Sequence, residues 1–100
     1  MTLVYITCKN QEEAEKISMR LLKKRLIVCA NIFPIKSMYR WKGKIENQKE
    51  FVMLAKTLEK NFVKIQEEVS KLHSYEIPCV LRIDAEANEG YDKWVKGELS

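Results

Sequence analysis

Three glycines and two prolines in 100 residues leave little room for long loops or linkers, so regular elements should dominate. A single histidine, His73, confines any imidazole chemistry to one position. The cysteines, Cys8, Cys29 and Cys79, are odd in number and widely spaced. They make neither a closed disulfide framework nor a zinc-knuckle pair, and suit reduced thiols in a reducing compartment. No apolar run approaches the roughly 18 residues a membrane span needs. The segment Met1-Thr2-Leu3-Val4-Tyr5-Ile6 has no basic stretch ahead of a cleavable apolar one, and reads as a first strand. These absences point to a cytoplasmic protein without a membrane partner.

What is present is the composition of a folded globular chain, 46 % hydrophobic and 32 % charged, which suits one domain over residues 1–100. The formal charge of +4 would permit nucleic-acid binding. Its lysines are interleaved with glutamates, however, as in Glu12-Glu13-Ala14-Glu15-Lys16 and Glu67-Glu68-Val69-Ser70-Lys71. The densest basic cluster, Lys23-Lys24-Arg25, falls at a helix C-terminus, where cations favour the macrodipole.

Residues 2–8 are β-branched and aromatic, as in a strand. Asn10 is placed to cap a helix whose first turns hold Glu12, Glu13 and Glu15. Ala14, Ile17 and Leu21, with Ser18 and Leu22, carry its apolar stripe to about Lys24. A long extended stretch over 26–41 follows, with Pro34 demanding a bulge or an edge position. Trp41-Lys42-Gly43-Lys44 supplies a turn, and residues 44–57 a second long strand. Phe51-Val52-Met53-Leu54-Ala55 is apolar on both faces, so helices should cover one face and a partner subunit the other. A charge at Met53, like Trp41→Ala, is therefore expected to weaken assembly more than the subunit itself. A helix over 58–72, a strand over 77–83 and a helix over 91–99 preceded by Gly90 complete the chain. The order β-α-β-β-α-β with an added C-terminal helix is the ferredoxin-like α+β arrangement.

That fold hosts many functions, so the side chains must discriminate. RNA-recognition domains share the topology, but their aromatic string has no counterpart around Lys42-Gly43-Lys44-Ile45, so no nucleic-acid partner is expected. Thr7-Cys8-Lys9-Asn10 is no glycine-rich anion cradle. Nucleophilic catalysis would pair a cysteine with His73, and nothing in the sequence sets one against it. Metal binding retains suitable ligands: thiolate and imidazole suit copper(I), copper(II) and zinc. His73, Glu76 and a cysteine would form such a site only if the fold or a neighbouring subunit gathers them. His73 also reads as a helix-terminal residue that satisfies the last carbonyls. Tyr39 and Trp41 read as interface packing.

Two strings carry a resemblance. Cys29-Ala30-Asn31-Ile32-Phe33-Pro34 leads into Ser37-Met38-Tyr39-Arg40-Trp41-Lys42-Gly43-Lys44-Ile45, then Glu50 and Lys56-Thr57. His73-Ser74-Tyr75-Glu76-Ile77-Pro78 follows. Over nearly the whole chain this resembles the CutA proteins of divalent-cation tolerance. Ser74 stands where that family usually has proline, and Cys79 where it commonly has glutamate. The resemblance implies a cytoplasmic, non-catalytic homotrimer similar to the PII signalling proteins, binding copper or another divalent cation in inter-subunit clefts. Cys29, His73 and Glu76 carry over as its metal ligands, with Tyr39, Trp41, Glu50, Lys56 and Tyr75 at the trimer interface or cleft. A PII-like module reading a small anionic ligand through Lys56 and Arg40 is the alternative, and a trimeric scaffold for a partner protein a third.

Overall fold

A computed structural model describes residues 1–99; Ser100 of the expected domain lies outside the described residues. Strand β1 (Thr2–Cys8) leads to helix α1 (Gln11–Lys23), a hairpin of β2 (Cys29–Trp41) and β3 (Lys44–Thr57), helix α2 (Phe62–Leu72), strand β4 (Val80–Asp84) and helix α3 (Glu89–Leu99). The four strands form one antiparallel sheet in the order β2-β3-β1-β4, which is the ferredoxin-like topology.

Alternation sorts the sheet into two faces. Val4, Ile6 and Cys8 of β1 and Met53 and Ala55 of β3 face α1 and α2, where they close a core with Ala14, Ile17, Leu21, Ile65 and Val69. Full burial of each branched or long side chain contributes about 1.5–3 kcal/mol, so this layer supplies the main drive to fold. Met53 lies fully inside it, under the Ser18 hydroxyl at 3.5 Å. A charge there would break the subunit rather than its assembly, contrary to the sequence expectation. The opposite face is covered in part by the chain itself. Val52 is fully buried there and α3 packs against β3, so a partner subunit is not its sole cover. Phe33, Tyr39, Leu81 and Ile83 stay open to solvent on this face.

The hairpin keeps one register from Cys29↔Lys56 to Trp41↔Lys44, so Pro34 sits on an edge strand without a bulge. Lys42 and Gly43 both take positive φ, 49° and 80°, as a two-residue type I′ turn requires. Because β1 pairs with β3 only over residues 51–57, the outer part of the hairpin continues as a two-stranded ribbon. This ribbon helps stretch the subunit to 45 × 25 × 21 Å.

Element ends shift where side chains intervene. β2 begins at Cys29, not Leu26, because the Leu26 carbonyl accepts from the Thr57 hydroxyl at 2.6 Å and the Asn61 amide at 3.3 Å. Helix α2 starts at Phe62, after a 3₁₀ turn over Glu59–Asn61. β4 starts at Val80, and residues 73–79 instead form a loop. Gly90 lies within the first turn of α3 rather than ahead of it. Helix α1 ends as a Schellman turn, with the Leu26 N–H on the Leu21 carbonyl and the Arg25 N–H on the Leu22 carbonyl. Arg25 holds φ = 56° there, a position that favours glycine.

Candidate functional site

The loop 73–79 joins α2 to β4 and passes from the helix-covered side, where Glu13 holds Ser74, to the open face, where Tyr75 reaches Glu50. Asn10 caps α1, its Oδ1 accepting from the Glu13 N–H at 2.8 Å. The returning Glu13 carboxylate is shared: Oε1 accepts from the Lys9 N–H at 2.9 Å and Oε2 from the Ser74 N–H at 3.0 Å. Serine at position 74 therefore supplies a donor that a proline would lack. Burial pulls the Glu13 carboxyl upward, but the Lys9 and Ser74 hydrogen bonds, with His73 nearby, outweigh it and hold the group below its ordinary range.

His73 caps α2 through its backbone, the N–H donating to the Val69 carbonyl at 2.9 Å. Its ring does not serve the helix carbonyls expected from the sequence. It is fully buried and reaches β1 instead, with Nε2 2.7 Å from the Thr7 carbonyl. Nδ1 accepts from the Tyr75 N–H at 3.1 Å. A backbone amide can only donate, so Nδ1 is bare and Nε2 carries the proton given to Thr7.

Tyr75 carries the contact onward. Its phenol donates to Glu50 Oε2 at 2.6 Å and accepts from Gln48 Nε2 at 3.0 Å, while the Tyr39 phenol donates to Gln48 Oε1 at 2.9 Å. Burial, then the bond and charge of Glu50, push the Tyr75 phenol up, so it stays a donor. These groups edge a cleft of about 840 Å³, lined by Tyr39, Trp41, Glu50, Tyr75, Glu76 and Cys79 among others. Burial and Glu50 together raise the Cys79 thiol.

Thus Tyr39, Trp41, Glu50, Tyr75 and Glu76 of the sequence-derived set meet at one cleft, and three residues do not. Lys56 lies four positions up β3 from Val52, its ammonium over the Tyr91 ring at 5.4 Å. Cys29 pairs with Lys56, whereas the Thr7 that holds His73 pairs with Val52 from the far side of β3; one chain does not unite Cys29 with His73. Glu76 is largely exposed, 4.0 Å from the Lys42 ammonium. Arg40 and Lys56 occupy opposite faces of the hairpin, because their positions differ in parity along one register. Beside His73 stand two residues the sequence reading did not single out as ligands, Cys8 and Glu13, whose ligand atoms lie within 4.8 Å of the ring and of each other. The Asn10-x-x-Glu13 spacing of a capping box was a readable sign for Glu13. Nothing local marks its second bond, 61 residues away at Ser74.

Strand order, helix placement and this cleft define a ferredoxin-like subunit of the PII-like class. The CutA1 divalent ion tolerance model matches residues 2–98, and the chain belongs to the CutA family. It is 43 % identical over 96 residues to the divalent-cation tolerance protein CutA of Pyrococcus horikoshii, covering 95 % of this chain and 94 % of that one. The solved periplasmic divalent cation tolerance protein CutA of Archaeoglobus fulgidus superposes over 100 % of both chains, with a TM-score of 0.96 and 42 % identity. A PII-like protein CutA from a Nostoc species, solved in apo form, gives a TM-score of 0.91 at 25 % identity, covering 100 % of this chain and 98 % of that one.

Proposed function

We propose that this divalent-cation tolerance protein is a non-catalytic homotrimer that takes up copper or a similar divalent ion at clefts between subunits. The supporting observation is the partly uncovered face of the sheet. Its exposed Phe33, Leu81 and Ile83 offer an apolar surface to a second copy, and it ends at the polar Tyr39–Gln48–Tyr75–Glu50 chain along a cleft. In this reading Cys29, His73 and Glu76 ligate the ion together, which requires a neighbouring subunit to bring Cys29 and the His73 ring to leave the Thr7 carbonyl and Tyr75 amide that hold it in the subunit, so metal uptake through them depends on assembly.

The thiols support a non-catalytic role. Cys8 is the cysteine set against His73, yet it is fully buried, and burial with the charges of Glu13 and Glu50 pushes its thiol up to about 12. A nucleophilic cysteine needs the opposite environment. Cys8, Cys29 and Cys79 are all free, in keeping with a reducing, cytoplasmic setting. No helix among the described residues is long and apolar enough to cross a membrane. The anion-reading alternative loses its pair of cations within one chain, since Arg40 and Lys56 face opposite ways.

Native mass spectrometry of the reduced protein, with and without sub-stoichiometric copper, tests the reading. A trimer that takes up copper in steps to three ions supports it. A trimer that stays free of metal removes the cation and leaves a partner or small-molecule role; a monomer removes the inter-subunit cleft.

A further inference from the structure

We infer that the cleft takes an aliphatic diammonium ion, with one charge at Glu50 and the other over Trp41 beside Glu76. This goes beyond the copper reading: the organic cation needs neither Cys29 nor His73, and only Glu76 serves in both.

The buried acids differ in how their charge is met. Glu68 has Arg20, Lys24 and Lys71 around it, and Glu13 has His73 at 3.9 Å. Glu50, only 6 % exposed, has no ion-pair partner among the described residues. What reaches it is neutral. The Tyr39 phenol donates to Gln48, the Gln48 amide to Tyr75, and the Tyr75 phenol to Glu50 Oε2, so three donors in series point toward one carboxylate. They favour the charged form but bring it no positive charge. Burial and then Glu50 raise both the Tyr75 phenol and the Cys79 thiol, as an unbalanced negative charge beside the cleft would. Oε1 takes no hydrogen bond among the described residues and is free to accept one from a ligand. A buried charge calls for a partner, and here the cleft is the way in for one.

The walls suit an alkylammonium better than an anion or a bare ion. Tyr5, Tyr39, Trp41 and Tyr75 line the cleft, with Glu50 and Glu76 as its acids. Lys36 is the one cation among the described lining residues. It pairs with Lys49, while Glu50 pairs with Ile35, so the Lys36 side chain belongs to the other face of the hairpin. Aromatic rings and carboxylates together attract ammonium groups, and Ile35 and Ile77 offer methylenes an apolar surface. The chain itself displays the contact. Lys42 Nζ lies 5.5 Å from the centre of the Trp41 ring and 4.0 Å from Glu76, with the lysine side chain largely exposed. A lysine side chain is a butylammonium, so the Trp41–Glu76 end of the cleft already holds half of such a ligand. Lys42 is thus a tethered competitor that an incoming amine displaces. Aliphatic amines keep their protons at neutral pH, as lysine does, so a diamine brings two charges to two carboxylates.

Isothermal titration calorimetry of the reduced, chelator-treated full-length protein with putrescine tests this. Wild type should bind one putrescine per chain, while succinate, a dianion of the same carbon count, should give no binding heat. Glu50→Gln deletes the buried charge with little change of shape and should weaken binding at least about tenfold. Glu76→Gln, at an exposed position, keeps the test open if Glu50→Gln fails to fold, and should weaken binding about two- to fivefold. Lys42→Ala frees Trp41 and Glu76 and should tighten binding about two- to fivefold. No putrescine binding by wild type, equal binding of succinate, or no gain in Lys42→Ala overturns the diammonium site. So does affinity that survives both carboxylate changes. Because metal is chelated throughout, these failures leave the copper reading standing, and a failure of copper uptake in the mass spectra leaves the diammonium site standing.

Discussion

The buried ring of His73 spans the chain from the end of α2 to β1, placing Nε2 2.7 Å from the carbonyl of Thr7, a residue 66 positions earlier. With Nδ1 holding the Tyr75 amide, one side chain fixes both the base and the bend of the cleft loop. His73→Ala removes both bonds and leaves a void. It is expected to lower unfolding free energy by about 2–4 kcal/mol, read by urea denaturation at fixed protomer concentration.

Tyr75→Phe keeps the ring and deletes the hydroxyl that serves Glu50 and Gln48. Glu50 is buried, so losing its donor should cost about 1–3 kcal/mol in the same denaturation assay. Double substitution with Glu50→Gln should cost less than the two single changes added together, because they share one bond.

Arg25→Gly should stabilise the protein. Arg25 occupies the left-handed closing position of the Schellman turn, where a side chain is strained. Relief of that strain, less the greater freedom of glycine in the unfolded chain, should raise stability by about 0.5–1 kcal/mol, measurable as a higher urea midpoint.

Glu68 gives the fold an acid-sensitive tie between α1 and α2. A hydrogen bond from Lys71 and an ion pair with Lys24, each at 3.0 Å, lower its carboxyl from an ordinary 4.5 to about 2. A carboxyl depressed in the folded state contributes stability above its unfolded value and loses it as pH falls through the folded one. Stability should therefore decline between pH 4.5 and about 2, and Glu68→Gln should flatten that part of the pH–stability profile.

Leu81→Lys places a charge on the open face at a position half exposed in the subunit. Sedimentation velocity should show trimer giving way to monomer with the circular dichroism spectrum unchanged. A trimer at unaltered mass would place the contact elsewhere. Met53→Lys should instead unfold the chain, since Met53 is in the core.

Much of this architecture was legible in the sequence because its signals are local. Asn10 announced α1, Lys42-Gly43 announced the hairpin turn, and alternation announced the strands. Tyr39, Trp41, Glu50, Tyr75 and Glu76 line one cleft within the subunit, and what brings them together is the pairing of the hairpin with a loop some 25 residues later, which no local spacing records. Leu26 and Ile27 misled the strand assignment, because apolar residues in a buried turn have no periodicity to set them apart. The position of Met53 was readable in parity: it shares the helix-covered face with Ala55, while Val52 and Leu54 share the other. The grouping of Cys8, Glu13 and His73 was not readable. It depends on a strand end, a helix start and a distant loop converging, and no spacing in the chain records that.

The outer hairpin has a kinetic consequence. Residues 44–50 of β3 pair with β2 alone, and an isolated two-stranded ribbon is marginal in water. Its amides should therefore open in rapid local excursions that leave the four-stranded body closed, with Tyr75 as the brake where it grips Gln48 and Glu50. Any neighbour that lies along this arm would slow those excursions. The exchange rate at the hairpin tip thus becomes a clock for assembly, reporting whether subunits are joined without reference to their mass.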